Sequence, residues 1–178
     1  MLGNLGNRKA RRGGMLAGAA LVVCGLAGLP APAGASAPCR IHGTILEGDI
    51  VDFGTLTVAV HGNSEVDTFE HPIVFDGNLT GVGNAKERVV AHNQNGAFEV
   101  HDRVAFQGTA TCADGRVLGA GGLVINFVAT GSFVTNSFTA HFEVIGSSGG
   151  LAGTHGNGTV SGVPGVPGGN GPYDGTLH

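Results

Sequence analysis

Tryptophan is absent from the 178 residues and tyrosine occurs once, so aromatic packing rests on nine phenylalanines. Charge is scarce as well. Asp, Glu, Lys and Arg make up 12% of the chain, and hydrophobic residues 42%, which excludes a disordered protein. No apolar run of ~18–20 residues is free of glycine and proline. Lysine and arginine total nine, with no cluster beyond residue 12, so nucleic-acid binding has no electrostatic footprint. The 34 glycines follow no Gly-X-Y period, which excludes a collagen-like chain. No serine sits in G-x-S-x-G, and no glycine loop runs from a strand into a helix to cradle a phosphate. No motif names a reaction or a cofactor.

The first 35 residues read as an export signal. Arg8, Lys9, Arg11 and Arg12 precede the apolar stretch 15–29, which is too short for a membrane span. The small residues Ala33-Gly34-Ala35 then form a cleavage site with Ser36 as the new terminus. The competing readings are an uncleaved anchor, a twin-arginine signal at Arg11-Arg12, and a lipid attached at Cys24. Cleavage removes four of the nine basic residues and none of the 13 acids, moving the formal charge from −4 to −8. The expected product is one mildly acidic domain over 36–178, secreted or at the cell-envelope exterior, without a stable membrane span.

Cys39 and Cys112 remain after cleavage. An even count in an exported chain implies one disulfide, the alternative being two free thiols.

After residue 40 no stretch keeps a 3.6-residue apolar period, and short β-branched and aromatic runs bounded by Gly, Asn and Asp dominate. The chain therefore reads as all-β. Strands are predicted at 41–47, 54–61, 65–76, 86–92, 97–108, 123–133, 137–145, 157–161 and 172–177, a barrel or sandwich pattern. Phe98, Val100, Val104 and Phe106 alternate with Glu99, His101, Arg103 and Gln107. Phe138, Ala140, Phe142 and Val144 alternate with Thr139, His141 and Glu143. Leu56, Val58 and Val60 oppose Thr55, Thr57 and His61. One packed and one wet face of this kind belongs to antiparallel strands. Segment 123–133, apolar on both sides, is expected to be covered on both faces or to lie at an interface. Asp76-Gly77, Asn95-Gly96 and Asp114-Gly115 have hairpin-turn chemistry. Ser147 to Gly150 reads as a flexible turn, and 162–171, with two Val-Pro-Gly units, as a loop.

Residues 127–162 run FVATGSFVTNSFTAHFEVIGSSGGLAGTHGNGTVSG. Two phenylalanine-bearing strands lead into a Gly/Ser turn, then Gly150-Leu151-Ala152-Gly153, with Gly156 and Gly158 following. This run resembles the C-terminal half of the allene oxide cyclase barrel-like proteins. It is most similar to short bacterial members with a G-x-L-A-G-x-x-G-x-G signature, and plant dirigent proteins share the barrel. The resemblance implies an antiparallel barrel of about eight strands around a mainly apolar cavity. The glycines of the signature let strands pass closely, and its leucine plugs the barrel end, so it marks a fold rather than a chemistry.

Two residues break the apolar faces. Asp102 falls between Val100 and Val104 by period two, where a carboxylate suits acid/base work unless a bulge turns it outward. His71 shares a face with Phe69, Ile73 and Phe75, beside Pro72, which suggests an edge or bulge. If both point into one interior they form a candidate acid/base pair; the plainer reading of each is a satisfied core residue. Glu99/His101 and His141/Glu143 have the two-residue spacing of metal ligands, but each pair opposes an apolar face and reads as solvated, so no metal site is expected. The functional expectation is a binder of a small apolar molecule, or a protein that presents a surface. The alternative is a cyclase- or isomerase-like enzyme using Asp102 and His71.

Overall fold

The computed structural model describes residues 37–47, 57–164 and 170–178. The proposed signal peptide, Leu56 and residues 165–169 of the Val-Pro-Gly loop lie outside them. The described residues form nine strands and no helix: β1 Cys39–Glu47, β2 Thr57–His61, β3 Ser64–Gly77, β4 Leu79–His92, β5 Ala97–Thr111, β6 Val117–Ser132, β7 Ser137–Gly149, β8 Gly156–Gly162 and β9 Asn170–Leu177.

Every pairing is antiparallel. The order is β1-β9-β8-β7-β6-β5-β4-β3-β2, and β1 also pairs with β3, so the sheet returns on itself as a ring. The two strands flanking the start of β3 divide it between them. β1 takes Ile73–Gly77, while β2 takes Ser64–Thr68. Among the described residues, 69–72 of β3 therefore have a strand partner only on the β4 side. Pro72 sits in this gap, where its missing N–H costs no ladder bond.

The alternation read from the sequence decides what fills the ring. Phe98, Val104 and Phe106 of β5 and Ala140, Phe142 and Val144 of β7 are buried, while Glu99, His101, Arg103, Thr139, His141 and Glu143 are exposed. Ile41, Ile45, Ile73, Phe75, Leu123, Ile125 and Phe127 join Val104, Phe106, Ala140, Phe142 and Val144 in one core.

Several expectations need correction. β2 does not bury its valines: Val58 and Val60 are 55% and 64% exposed. It lies beyond the stretch of β3 that closes the ring, so neither of its faces meets the core. The outward side of β6 is only partly covered, with Val124 half-buried and Val128 49% exposed, which leaves the alternative of an interface. Three strands extend into segments that look like loops. β4 begins at Leu79, β6 at Val117, and β7 runs through Ser147 and Ser148 to Gly149. These extensions are glycine-rich because backbones and side chains crowd there. A Cβ on Gly83 would lie 2.8 Å from Val104 Cγ1 and 2.9 Å from Ile73 Cγ2.

One end of the ring is closed by side chains. Cys39, at the start of β1, is disulfide-bonded to Cys112 in the β5–β6 turn, with Cα atoms 5.0 Å apart. Leu151, in the β7–β8 connection, is buried beside Leu79, Ala110 and Leu177 in the same core. Tyr173 is buried with them. Its hydroxyl accepts the Leu79 N–H at 2.7 Å, and burial pushes its ionisation up to about 12.

Candidate functional site

The polar residues of the interior come from three neighbouring strands. Glu87 of β4 and Asp102 of β5 are direct cross-strand partners. His71 of β3 pairs with Ala85, which places it diagonally from Glu87 on the same face. β5 keeps an unbroken register with β4 and β6 around Asp102, so no bulge turns that carboxylate outward. His71 is 3% and Glu87 8% exposed, and Asp102 is half-buried. One donor atom from each residue lies within 4.8 Å of the others.

His71 is fixed at both ring nitrogens. Nε2 lies 2.8 Å from Glu87 Oε2, and Nδ1 lies 3.2 Å from the Pro72 carbonyl oxygen. Both partners are acceptors, so the imidazole donates through Nδ1 and a proton occupies the contact between Nε2 and the carboxylate. Pro72 supplies that carbonyl from the stretch of β3 that no described residue pairs on the β1/β2 side. Proline thus offers no N–H to a ladder and orients a buried histidine through its carbonyl.

Around the cluster the wall is apolar. Phe69 packs against His71 with ring centroids 5.6 Å apart, and Phe127, the cross-strand partner of Asp102, meets Phe142 at 5.8 Å. Beyond His71, Glu65 and Asp67 continue the same face of β3 by alternation. One oxygen of Asp67 is enclosed without a hydrogen-bond partner, and its carboxyl is pushed above the ordinary range, first by burial and then by Glu65. Among the described residues no lysine or arginine answers these acids from within. Lys86, Arg88, Arg103 and Arg40 are exposed between inward-facing neighbours, and Arg116 lies in the β5–β6 turn.

The structure thus brings together the two residues singled out in the sequence, through a third, Glu87, that was missed. The signal for Glu87 was weak. With β4 read as starting at residue 86, Glu87-Val89-Ala91 and Arg88-Val90-His92 are equally plausible inner faces. Extending the strand back to the buried Leu79 and Ala85 sets the parity and places Glu87 inside. Glu99, His101, His141 and Glu143 are all exposed on the outer face. An open groove of about 480 Å³ lies over β1, β9 and β8, but its outward residues His42, Thr44, Ser161, Pro172 and Asp174 are exposed and enclose nothing.

No protein-family profile and no curated protein matches the sequence. A solved structure does: a protein of unknown function from the DUF3224 family of Shewanella oneidensis, at a TM-score of 0.56 and 15% identity, over 79% of this chain and 96% of that one. At that identity the likeness is one of fold, an all-β arrangement shared over nearly the whole of the other protein.

Proposed function

We propose that the chain is an exported β-barrel of the allene oxide cyclase-like kind that holds a small, largely apolar molecule inside the ring. The ligand would lie where His71, Glu87 and Asp102 meet the phenylalanines. Residues 1–35 act as the signal peptide, and 36–178 as the working domain outside the cytoplasm. A disulfide, and the absence among the described residues of a helix able to cross a membrane, are compatible with that location.

The observation that carries the reading is a gradient of burial along the inner wall. Ile73, Phe75, Val104 and Phe106 are sealed. Phe69, Val89, Val100, Asp102 and Phe138, further along the same faces, are only half-buried, while Phe98, beyond Val100 on β5, is covered by Phe133 at 4.6 Å. Apolar side chains left half-covered on an inward face offer the concave, mostly apolar surface that small-molecule sites use, with a few polar groups to orient the guest. Native mass spectrometry on protein purified from its own host tests it. The expected spectrum shows a polypeptide beginning at Ser36 with one small molecule retained. A bare polypeptide that also fails to take up the apolar probe N-phenylnaphthylamine would overturn the binding role.

The 2.8 Å His71–Glu87 contact favours a second reading, in which the cluster moves a proton on the bound molecule as an isomerase does. Incubating the retained ligand with protein in D2O separates the two. Deuterium appearing at a ligand carbon indicates an enzyme, and an unchanged ligand indicates a carrier.

A further inference from the structure

We propose that His71, Glu87 and Asp102 form a binding site for a divalent transition-metal ion, with zinc as its simplest occupant. The inference does not rest on the ligand proposal, and its test uses no apolar ligand.

Three observations carry it. The first is the donor set. One imidazole and two carboxylates, with donor atoms within 4.8 Å of one another, match the nitrogen and oxygen ligands that zinc takes. Zinc holds such atoms at about 2.0–2.2 Å, which sets them roughly 3.3 Å apart. His71 Nε2 and Glu87 Oε2 need to part slightly from 2.8 Å, and a donor atom of Asp102 lies within 4.8 Å of both residues. The second is the orientation of His71. Nδ1 is directed at the Pro72 carbonyl, the outer contact that leaves Nε2 as the ligating atom in metal-bound histidines. The third is charge. Two adjacent carboxylates share one imidazole in a mostly buried setting, and the described lysines and arginines lie outside the ring. A divalent ion would answer both carboxylates, and three protein ligands leave a position for water or a guest atom.

The test is calorimetric titration of zinc chloride into the full chain after EDTA treatment and dialysis. His155 and His178 are exposed and stacked with centroids 5.6 Å apart, so the titration is repeated in a background with both changed to alanine. The expected result is one zinc per chain in both backgrounds. Glu87→Gln and Asp102→Asn, each isosteric, should weaken binding by more than about 10-fold. Circular dichroism confirms that the variants fold. A measurement independent of any variant is the imidazole ¹⁵N spectrum of the unmodified chain, in which zinc should shift Nε2 of His71 while its Nδ1 stays protonated. Absence of saturable zinc binding, binding that survives both substitutions, or zinc shifts confined to other histidines would each overturn the proposal.

Discussion

The two ends of the ring are built on opposite plans. At one, Cys39, Leu79, Ala110, Cys112, Leu151, Tyr173 and Leu177 are all buried, and the only polar group among their side chains, the Tyr173 hydroxyl, has a backbone partner. Toward the other, the inner face carries His71, Glu87, Asp102, Asp67 and Glu65, with Phe69, Val89, Val100 and Phe138 only half covered. Burial of apolar surface and a covalent cross-link stabilise the first. The second keeps acidic groups where apolar ones would pack better, as functional sites do. The closed end should therefore govern stability and the polar end binding, and substitutions that respect this division support it.

The largest effect is expected from the disulfide. Cys39 and Cys112 are 73 residues apart, so the chain-entropy account gives the cross-link about 4 kcal/mol. Changing both to alanine should lower urea-unfolding stability by that order while leaving zinc and N-phenylnaphthylamine binding intact below the new melting point. Leu151→Ala should follow. A fully buried leucine costs roughly 3 kcal/mol when truncated, because its surroundings fill the space only in part. Loss of probe or zinc binding in either variant, at temperatures where it remains folded, would show that the two ends are not separable.

The closed end was the more legible in sequence. Cysteine parity pointed to the pairing, and the Gly150-Leu151-Ala152-Gly153 run marked a leucine lying inside a connection. Leu151 is indeed buried at 1%. Nine strands were countable because hydrophobic alternation with turn residues between survives in a single chain. The reading failed where glycine replaces side chains. The starts of β4 and β6 and the end of β7 have no apolar alternation to display, since close packing there excludes a Cβ. That failure propagated to the polar end, because the parity of β4, and so the inward position of Glu87, is set by those lost residues. β2 failed for another reason. Its alternation is good, but whether a strand faces the core depends on which half of β3 it meets, and local pattern does not encode that.

Smaller effects probe single polar groups. Tyr173→Phe removes the acceptor for the buried Leu79 N–H and should cost about 1–2 kcal/mol. The wild-type residue offers a direct readout as well, because it is the only tyrosine and there is no tryptophan. Its ionisation lies at about 12 in the fold against an ordinary 10.0, so its share of stability is intact below pH 10 and lost as pH rises through about 12. Absorbance near 295 nm (the phenolate band) should show that late midpoint in folded protein and an ordinary one in urea.

The smallest expected change has the opposite sign. Asp67 sits on the polar face with an enclosed oxygen, and its carboxyl is raised from 3.8 by burial and by Glu65. A raised carboxyl favours the native state when protonated, so its contribution is full below pH 3.8 and falls as pH climbs through the raised value. Asp67→Asn removes the charge and should stabilise the protein at neutral pH, by less than about 1 kcal/mol because the residue is only half-buried. The gain should vanish near pH 3.8, where the wild-type residue is itself neutralised. Urea titrations of both proteins across that range make the comparison. A variant less stable than wild type at neutral pH would mean that Asp67 is held by a favourable contact, and that the polar end does not keep its acids at a cost to stability.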